Sequence, residues 1–410
     1  MALTFEEARA CVLANARRCD GTKGAGTEIV RTLAAAGRVI AERVAADRDY
    51  PPFARSARDG FAVRAADLPG DLPAELKVIG EVRAGQVFDG AIGAGEAVEI
   101  MTGAPMPQGA DAVVMVEHTS RTGDGARVLV QKGQRPPGDN FSPQGVEARA
   151  GAVVLEAGRR LGFAEIALLA MVGRECVQVF SKPRVAILPT GDEIVEAGET
   201  PEPFQIRNSN AWSLAAQVER AGGAPEILPI ARDNYESTRS MIERGLDADL
   251  LLLSGGVSAG KYDIVEKVLA DLGAEFFFDR VKIQPGQPLV YGFVKSGPAS
   301  GKQFFGLPGN PASTMVTFEV FARAAVELLG GANDAPLPLL RARLTKKFEH
   351  KPGLTRFLPA RLSLDGSTVA PEAWQGSGDV ASLARANAFL VAEADRESWE
   401  EGEDIRVLIK

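Results

Sequence analysis

Residues 250–263 read LLLLSGGVSAGKYD, and no stretch of the chain restricts its fold more. Leu250–Leu253 form an apolar run with no polar alternation, the pattern of a strand buried on both faces. The loop Ser254-Gly255-Gly256-Val257-Ser258-Ala259-Gly260 follows at once, and the periodicity of Ile264–Leu272 predicts a helix. A strand, a glycine turn and a helix start in that order can hold an anion. Glycines let the backbone approach a phosphate, while free amides and the helix dipole supply positive potential. Asp263, near the helix start, suits a metal ion better than a phosphate. No GK[ST] follows the loop and no GxGxxG precedes it, so neither common nucleotide fingerprint applies. Alone, the segment fits a phosphate or polar ligand, or a tight structural turn.

Composition narrows the function classes. A 410-residue chain with 45% hydrophobic and 24% charged residues is expected to build roughly two to four soluble domains. Its net charge of −8 argues against non-specific nucleic-acid binding and against an anionic membrane surface, so an anionic ligand needs a local site. No apolar run approaches the ~18 residues of a membrane span, and MALTFEEARACVLANARR reads as an amphipathic helix without a signal-peptide core. Cys11, Cys19 and Cys176 form no CxxC and no even framework, which predicts a reducing cytoplasm. Only His118 and His350 are present, far apart, and each reads as structural. That argues against a Ser-His-Asp triad or a histidine-ligated zinc. Carboxylates, hydroxyls, backbone amides, Lys/Arg and a hard cation are left to do the chemistry.

Pattern changes along the chain predict its organisation. Residues 4–46 read as helices interrupted near Cys19–Gly26, and Tyr50-Pro51-Pro52-Phe53 stops them. Residues 54–145 carry short β runs at Leu76–Val82, Ala97–Ile100, Ala112–Glu117 and Arg127–Gln131. Ala150–Val179 mixes β runs with a helix over Ala164–Met171. From Pro183, strands expected at Arg184–Leu188, Pro225–Ile230, Asp249–Leu253, Glu275–Val281 and Gln303–Phe305 alternate with helices. Those helices are Ala211–Ala221, Ser237–Leu246, Ile264–Leu272 and Ala312–Leu329. Such alternation implies a doubly wound parallel sheet with ligands at the strands' carboxyl ends. Asn333–Pro338 reads as a linker and 339–410 as a short all-β domain.

Three polar clusters fall where that architecture puts a ligand. Pro189-Thr190-Gly191-Asp192-Glu193 places two acids at a strand end, suited to a cation or to ligand hydroxyls and amines, or else to a capped turn. Ser254–Gly260 with Asp263 is the second. Gly306-Leu307-Pro308-Gly309-Asn310-Pro311-Ala312-Ser313 is the third, where proline pre-sets a helix start and Ser313 could cap it or donate to an anion. Gln284–Pro288 adds a rigid turn after Arg280 and Lys282, either of which could face an oxyanion or solvent. In the β region, Asp59 sits in a turn after a proline break, Thr102 puts a hydroxyl at a strand end, and Arg135 precedes the stiff turn Pro136–Asn140. Short polar residues in turns also serve the backbone alone.

Taken together, seven segments resemble the molybdopterin molybdenumtransferase family, which includes the E domain of gephyrin. They are Pro51–Ala62 (PxFxxSxxDGFA), Glu99–Glu117 (EIMTGAPMPxGADAVVMVE), Pro189–Ile194 (PTGDEI), Ile206–Asn210 (IRNSN), Ser254–Asp263 (SGGVSAGxxD), Gln284–Pro288 (QPGQP) and Gly306–Ser313 (GLPGNPAS). The resemblance implies an α/β multidomain chain: a mixed α/β dimerisation domain (1–46 and 146–181), a β lid (47–145), a doubly wound, mostly parallel molybdopterin-binding domain (182–331) and a C-terminal β-barrel-like domain (335–410). It implies a homodimer that takes adenylylated molybdopterin, delivered by a molybdopterin adenylyltransferase, together with molybdate. Mg²⁺-assisted hydrolysis would then release AMP and molybdenum cofactor. Asp59, Glu193, Asp233 and Asp263 would be the catalytic carboxylates, with Thr102 beside them, and Asp59, Glu193 and Asp263 would hold Mg²⁺. Arg135, Thr190, Gly191, Asp192, Ser254, Gly255, Gly256, Ser258, Gly260, Pro308, Gly309, Asn310 and Ser313 would bind the pterin and its phosphate, with Arg280 and Ser377 near the molybdate.

The chain departs from the family at several points. Asn140 replaces a carboxylate of a GED run, and Gln284 replaces a lysine before the PG turn. Leu354 and Pro359 replace both arginines of a GRxxFxR pattern, leaving Arg356 and Arg361 as the arginines of that stretch. These losses motivate an alternative, a diverged molybdopterin-binding carrier or scaffold that inserts no metal. A third reading, an unrelated phosphate-ligand α/β enzyme, leaves the ordered segments of 51–145 without an explanation.

Overall fold

The structure, a computed structural model, describes residues 2–16, 26–68, 70, 73–131, 136–255 and 264–410. Two compact units emerge: residues 1–41, 158–162 and 177–410 in one, and 42–157 with 163–176 in the other.

In the first unit a six-stranded sheet runs in the order Ala224–Ile227, Arg184–Pro189, Leu250–Ser254, Gln303–Leu307, Pro288–Val294, Ala274–Arg280. The first four strands are parallel. The last two add antiparallel. Apolar residues on successive positions serve opposite faces, as the two-residue period of a strand requires. Val185, Ile187, Leu250 and Leu252 belong to one core. Ala186, Leu188, Leu251 and Leu253 belong to the other. Helices cover both faces, so the mostly parallel, doubly wound expectation holds. Helix Asn210–Ala221 buries Ala211, Leu214, Val218 and Ala221, a stripe at helical spacing, and ends at left-handed Gly222. Helix Tyr235–Gly245 starts under the side chain of Asn234, which accepts from the Ser237 amide at 2.9 Å.

The helix Phe5–Asn15 carries a Thr4/Glu7 capping box. Its buried Arg9 donates to the Val320 carbonyl at 2.6 Å and to the Ala335 carbonyl. Burial pulls the Arg9 guanidinium down to about 10. Val320 lies in a π-helical turn, Phe318–Ala322, between Pro311–Thr317 and Arg323–Leu329. These three segments correspond to the one long helix expected there.

The C-terminal sheet closes on itself through the pairing of Thr355–Leu362 with Ala388–Ala392, giving a barrel-like domain. Strand Ile283–Gln284, arriving from the sheet domain, joins it in register: Ile283 opposite Thr355 and Gln284 opposite Arg356. The domain also holds a helix, Val380–Arg385, capped by Asp379, where only strands were expected. Its six residues span less than two turns, too short for a helical period to be read. His350 is buried beside Trp399, its Nε2 2.6 Å from the Arg396 carbonyl, in keeping with a structural role.

The second unit centres on a six-stranded sheet in the order Ala112–Met115, Gly60–Val63, Glu96–Ile100, Ala74–Val82, Arg127–Val130, Thr119–Thr122. A Cβ on Gly60 would meet the Val114 carbonyl at 1.9 Å, so only glycine fits there. The helical expectation for residues 27–46 fails. Thr27–Arg31 is a strand paired with Cys176–Phe180, and Val44–Ala45 pairs with Val153–Leu155. Pairing with residues more than a hundred positions away overrides the local alanine-rich helix propensity.

Candidate functional site

The carboxyl ends of three neighbouring parallel strands build the site. Pro189, Ser254 and Leu307 end strands held in register side by side. The chain then turns where glycine is required. Gly255 has φ +99, and a Cβ there would meet the Thr190 carbonyl at 2.9 Å and its hydroxyl at 3.1 Å. The Thr190 amide donates to the Ser254 carbonyl at 3.2 Å, and the Gly255 amide to the Leu307 carbonyl at 3.2 Å. A Cβ on Gly309 would lie 3.6 Å from Gly255 Cα. The three backbone turns are thus packed closely, with no room for a side chain at Gly255.

Asn210, the first residue of helix Asn210–Ala221, ties two of these turns. Its Nδ2 donates to Ser254 Oγ at 2.9 Å and to the Gly309 carbonyl at 2.7 Å. Sequence reasoning quoted Asn210 within IRNSN but gave it no role. An asparagine at a helix start normally reads as a cap, and its partners lie 44 and 99 residues away. Asn208 takes the capping role instead, its Oδ1 accepting from the Ala211 amide at 3.1 Å. Thr190 Oγ1, Asn208 Nδ2 and Asn210 Oδ1 are buried and have no hydrogen-bond partner among the described residues. Such a concentration of unsatisfied polar atoms marks a site rather than a settled core.

Acidic groups flank the turns. Asp192, Glu193 and Asp233 are exposed. Asp192 Oδ1 accepts from the Asp233 amide at 3.2 Å, and Arg232 Nη1 donates to the Asp192 and Ile194 carbonyls at 3.3 Å. Asp192 thereby ties its turn to the segment that leads into helix Tyr235–Gly245. The Glu193 carboxylate folds against Gly191, where a Cβ would come within 2.6 Å of it. No described residue pairs with that carboxylate.

The third cluster is more buried than its sequence suggested. Pro308 is buried and Ser313 is 4% exposed, with the Ser313 carbonyl accepting from the Thr317 hydroxyl at 2.8 Å; Gly309 and Asn310 are exposed. The Ala312 amide donates to the Ser377 carbonyl at 2.9 Å, so the C-terminal domain reaches the start of this helix. Arg280 ends the edge strand, exposed, opposite Pro288. Arg135, Gly256, Ser258, Gly260 and Asp263 lie outside the described residues, as does Cys19.

In the other unit, Thr102 donates its amide (2.6 Å) and hydroxyl (2.7 Å) to Asp59 Oδ1. The amide bond first and the hydroxyl second hold the Asp59 carboxyl below the ordinary aspartate value. Asn140 has φ +60 and donates Nδ2 to the Val113 carbonyl at 2.9 Å, a bond no carboxylate could make.

A doubly wound sheet with glycine-shaped strand ends and flanking acids, joined to a β-sheet unit and a closed barrel, defines a multidomain α/β protein with a polar ligand crevice. Residues 3–173 match the MoeA N-terminal region (domain I and II), 186–328 a probable molybdopterin binding domain, and 341–410 the MoeA C-terminal region (domain IV). A molybdopterin molybdenumtransferase of Staphylococcus epidermidis is 34% identical over 379 residues, covering 91% of this chain and 88% of the relative. Its Staphylococcus aureus counterpart (strain COL) is 33% identical over 377 residues, covering 90% and 88%. A molybdopterin biosynthesis protein from Pyrococcus horikoshii superposes with TM-score 0.81 at 28% identity over 100% of both chains. The chain belongs to the molybdopterin molybdenumtransferase family, enzymes of molybdenum cofactor biosynthesis. No helix among the described residues is long and apolar enough to cross a membrane.

Proposed function

We propose that the protein inserts molybdenum from molybdate into adenylylated molybdopterin, releasing AMP and molybdenum cofactor. The observation that carries this reading is the cradle of Thr190, Gly255 and Gly309 drawn together by Asn210, with exposed acids at its rim. Bare backbone turns admit a flat pterin and its phosphate closely. The Thr190 hydroxyl and Asn210 carbonyl oxygen, without a partner among the described residues, match the hydrogen-bonding groups of such a ligand.

Mg²⁺ fits the donor set, which is oxygen throughout. Among the described residues no three His, Cys, Asp or Glu side chains gather as a metal cage. Mg²⁺ is commonly held by one or two carboxylates plus substrate phosphates, and Glu193 offers an unengaged carboxylate for that purpose. Asp59 and Asp263 are assigned the same role by family resemblance. Once bound, the ion supplies charge neutralisation on the pyrophosphate. The chain's own work is positioning: Asn210 fixes the two loops, Arg232 fixes the acidic turn, and Thr102 keeps Asp59 ionised.

The four-domain division at 46/47, 145/146, 181/182 and about 335, the homodimer, the adenylyltransferase donor and the cytoplasmic location belong to the same proposal. Purified protein given adenylylated molybdopterin and Mg²⁺, with and without molybdate, tests it. Molybdate-dependent AMP release, with molybdenum on the pterin, supports insertion. Tight binding of the adenylylated pterin without AMP release would replace the enzyme with a carrier.

A further inference from the structure

The crevice lies where the parallel strands end; a second cavity lies where two of them begin, beside Lys182 ahead of Arg184–Pro189 and Gly222 ahead of Ala224–Ile227. Helix Asn210–Ala221 spans the distance between the two. Asn210 ties the crevice turns, and Ala221 lines the cavity about 18 Å further along the helix. The cavity holds about 330 Å³ and is walled by Arg38, Arg160, Lys182 and Arg220 against Glu219 and Glu327. Four cations and two acids make a basic pocket in a chain whose net charge is −8.

Three of these charges are already spent. Arg38 pairs with Glu28 at 2.5 Å, Arg220 with Glu319, and Glu327 with Arg323 at 2.8 Å. Arg160 differs. Its Nη1 donates to the Gly37 carbonyl at 2.8 Å and its Nη2 to the Ala221 carbonyl at 3.1 Å, and no described carboxylate pairs with it. Each of those nitrogens keeps a second hydrogen to donate. The backbone fixes the residue as well: Arg160 bridges Val39, while the Leu161 amide donates to the Arg38 carbonyl and the Gly37 amide to the Leu161 carbonyl, both at 2.8 Å. Gly222, at φ +93, leaves room for the guanidinium, since a Cβ there would come within 2.9 Å of Nη1. The Lys182 side chain is exposed and makes no hydrogen bond or ion pair with a described residue. Glu219 is the one acid of the wall in the same condition, so two free cations are set against one free carboxylate. Capping the helix end accounts for the two bonds of Arg160. It accounts neither for Lys182 nor for the volume that both line.

A guanidinium held by two carbonyls, with an ammonium on the same wall, suits a doubly charged tetrahedral group. The volume is at the lower end of pockets that take small organic ligands, about 300–1,000 Å³, and exceeds what orthophosphate alone fills. Phe180 adds an aromatic surface to the wall, its ring resting on bare backbone where a Cβ on Gly331 would meet it at 2.2 Å. Such a ring suits the flat part of an organic phosphate.

We propose that this cavity binds the phosphate group of a small phosphorylated molecule through Arg160 and Lys182, at a site separate from the pterin crevice. The inference does not depend on the insertion reading. Inorganic phosphate and AMP, with adenosine as the uncharged control, are titrated by calorimetry into wild type, Lys182→Gln, Arg160→Gln and Asn210→Ala. Loss of a charged hydrogen-bonding partner predicts roughly tenfold weaker phosphate binding in Lys182→Gln and in Arg160→Gln. Asn210→Ala keeps the wild-type phosphate affinity, and adenosine does not bind at this site. Arg160 also caps a helix, so Lys182→Gln, which removes no bond, decides the matter should Arg160→Gln fold poorly. AMP binding more tightly than phosphate, with both weakened in Lys182→Gln, assigns the site to a nucleotide; equal affinities weakened alike assign it to free phosphate. Equal phosphate affinity in wild type and Lys182→Gln, or none in wild type, overturns the inference. Phosphate binding lost in Asn210→Ala and kept in Lys182→Gln also overturns it, because the anion then sits in the crevice.

Discussion

Thr102 places two donors, its amide and its hydroxyl, on one oxygen of Asp59 at 2.6 and 2.7 Å. Both bonds stabilise the ionised form, so Asp59 enters any reaction as a carboxylate rather than as an acid.

Replacing Thr102 by valine removes the hydroxyl and leaves the amide. The Asp59 pKa then rises part of the way back towards 3.8, as read from its carboxyl carbon shift in an NMR titration. The folded-state value lies below the unfolded one, so the linked stability is present above the unfolded value and is lost as pH falls through the folded value. Wild type should therefore be more stable than Thr102→Val by a constant margin above that figure, and the margin should shrink as pH falls through the strongly acidic range. A margin that persists undiminished in strong acid would show that Thr102 acts elsewhere.

Asn210→Ala removes the donor shared by Ser254 and Gly309. Two lost bonds predict a loss of about 1–3 kcal/mol in urea unfolding, with a roughly tenfold rise in the KM for the pterin substrate. Asn210→Asp should be worse for binding, since a carboxylate cannot donate to the Gly309 carbonyl. Unchanged KM in both variants would reduce Asn210 to a fold residue.

Gly255→Ala forces a Cβ to within 2.9 Å of the Thr190 carbonyl at a φ of +99. Backbone strain of that kind costs about 1–3 kcal/mol. A lower melting midpoint together with weaker substrate binding is expected, because the displaced atoms are those of the cradle. Gly366→Ala, where φ is +72 and nothing lies within 4 Å of the added Cβ, is the control that should lower stability alone.

Glu193→Gln should leave unfolding within about 0.5 kcal/mol of wild type, since the carboxylate is exposed and supports no described neighbour. Turnover should fall by about 100-fold or more if that charge meets the metal and the pyrophosphate. Normal turnover at every Mg²⁺ concentration would remove Glu193 from the reaction.

Much of this arrangement was legible in the residues themselves. Leu250–Leu253 announced the central strand, and the three glycine turns fell at strand ends because local chain chemistry sets both. Thr27–Arg31 departs from the expected helix because its partner strand, Cys176–Phe180, lies far along the chain, and the strand Pro288–Val294 is masked in the sequence because its apolar run follows a proline-rich turn. The bridging bonds of Asn210 were beyond reach for the same reason: they depend on residues brought close only by folding. Arg135, Gly256, Ser258, Gly260 and Asp263 stay as the resemblance left them.

The bond from Ala312 to Ser377 and the ladder between Gln284 and Arg356 carry a consequence for how such chains diversify. A barrel fastened to the sheet domain at two separate places is poorly suited to being exchanged as a cassette. A foreign barrel would have to reproduce both seams at once.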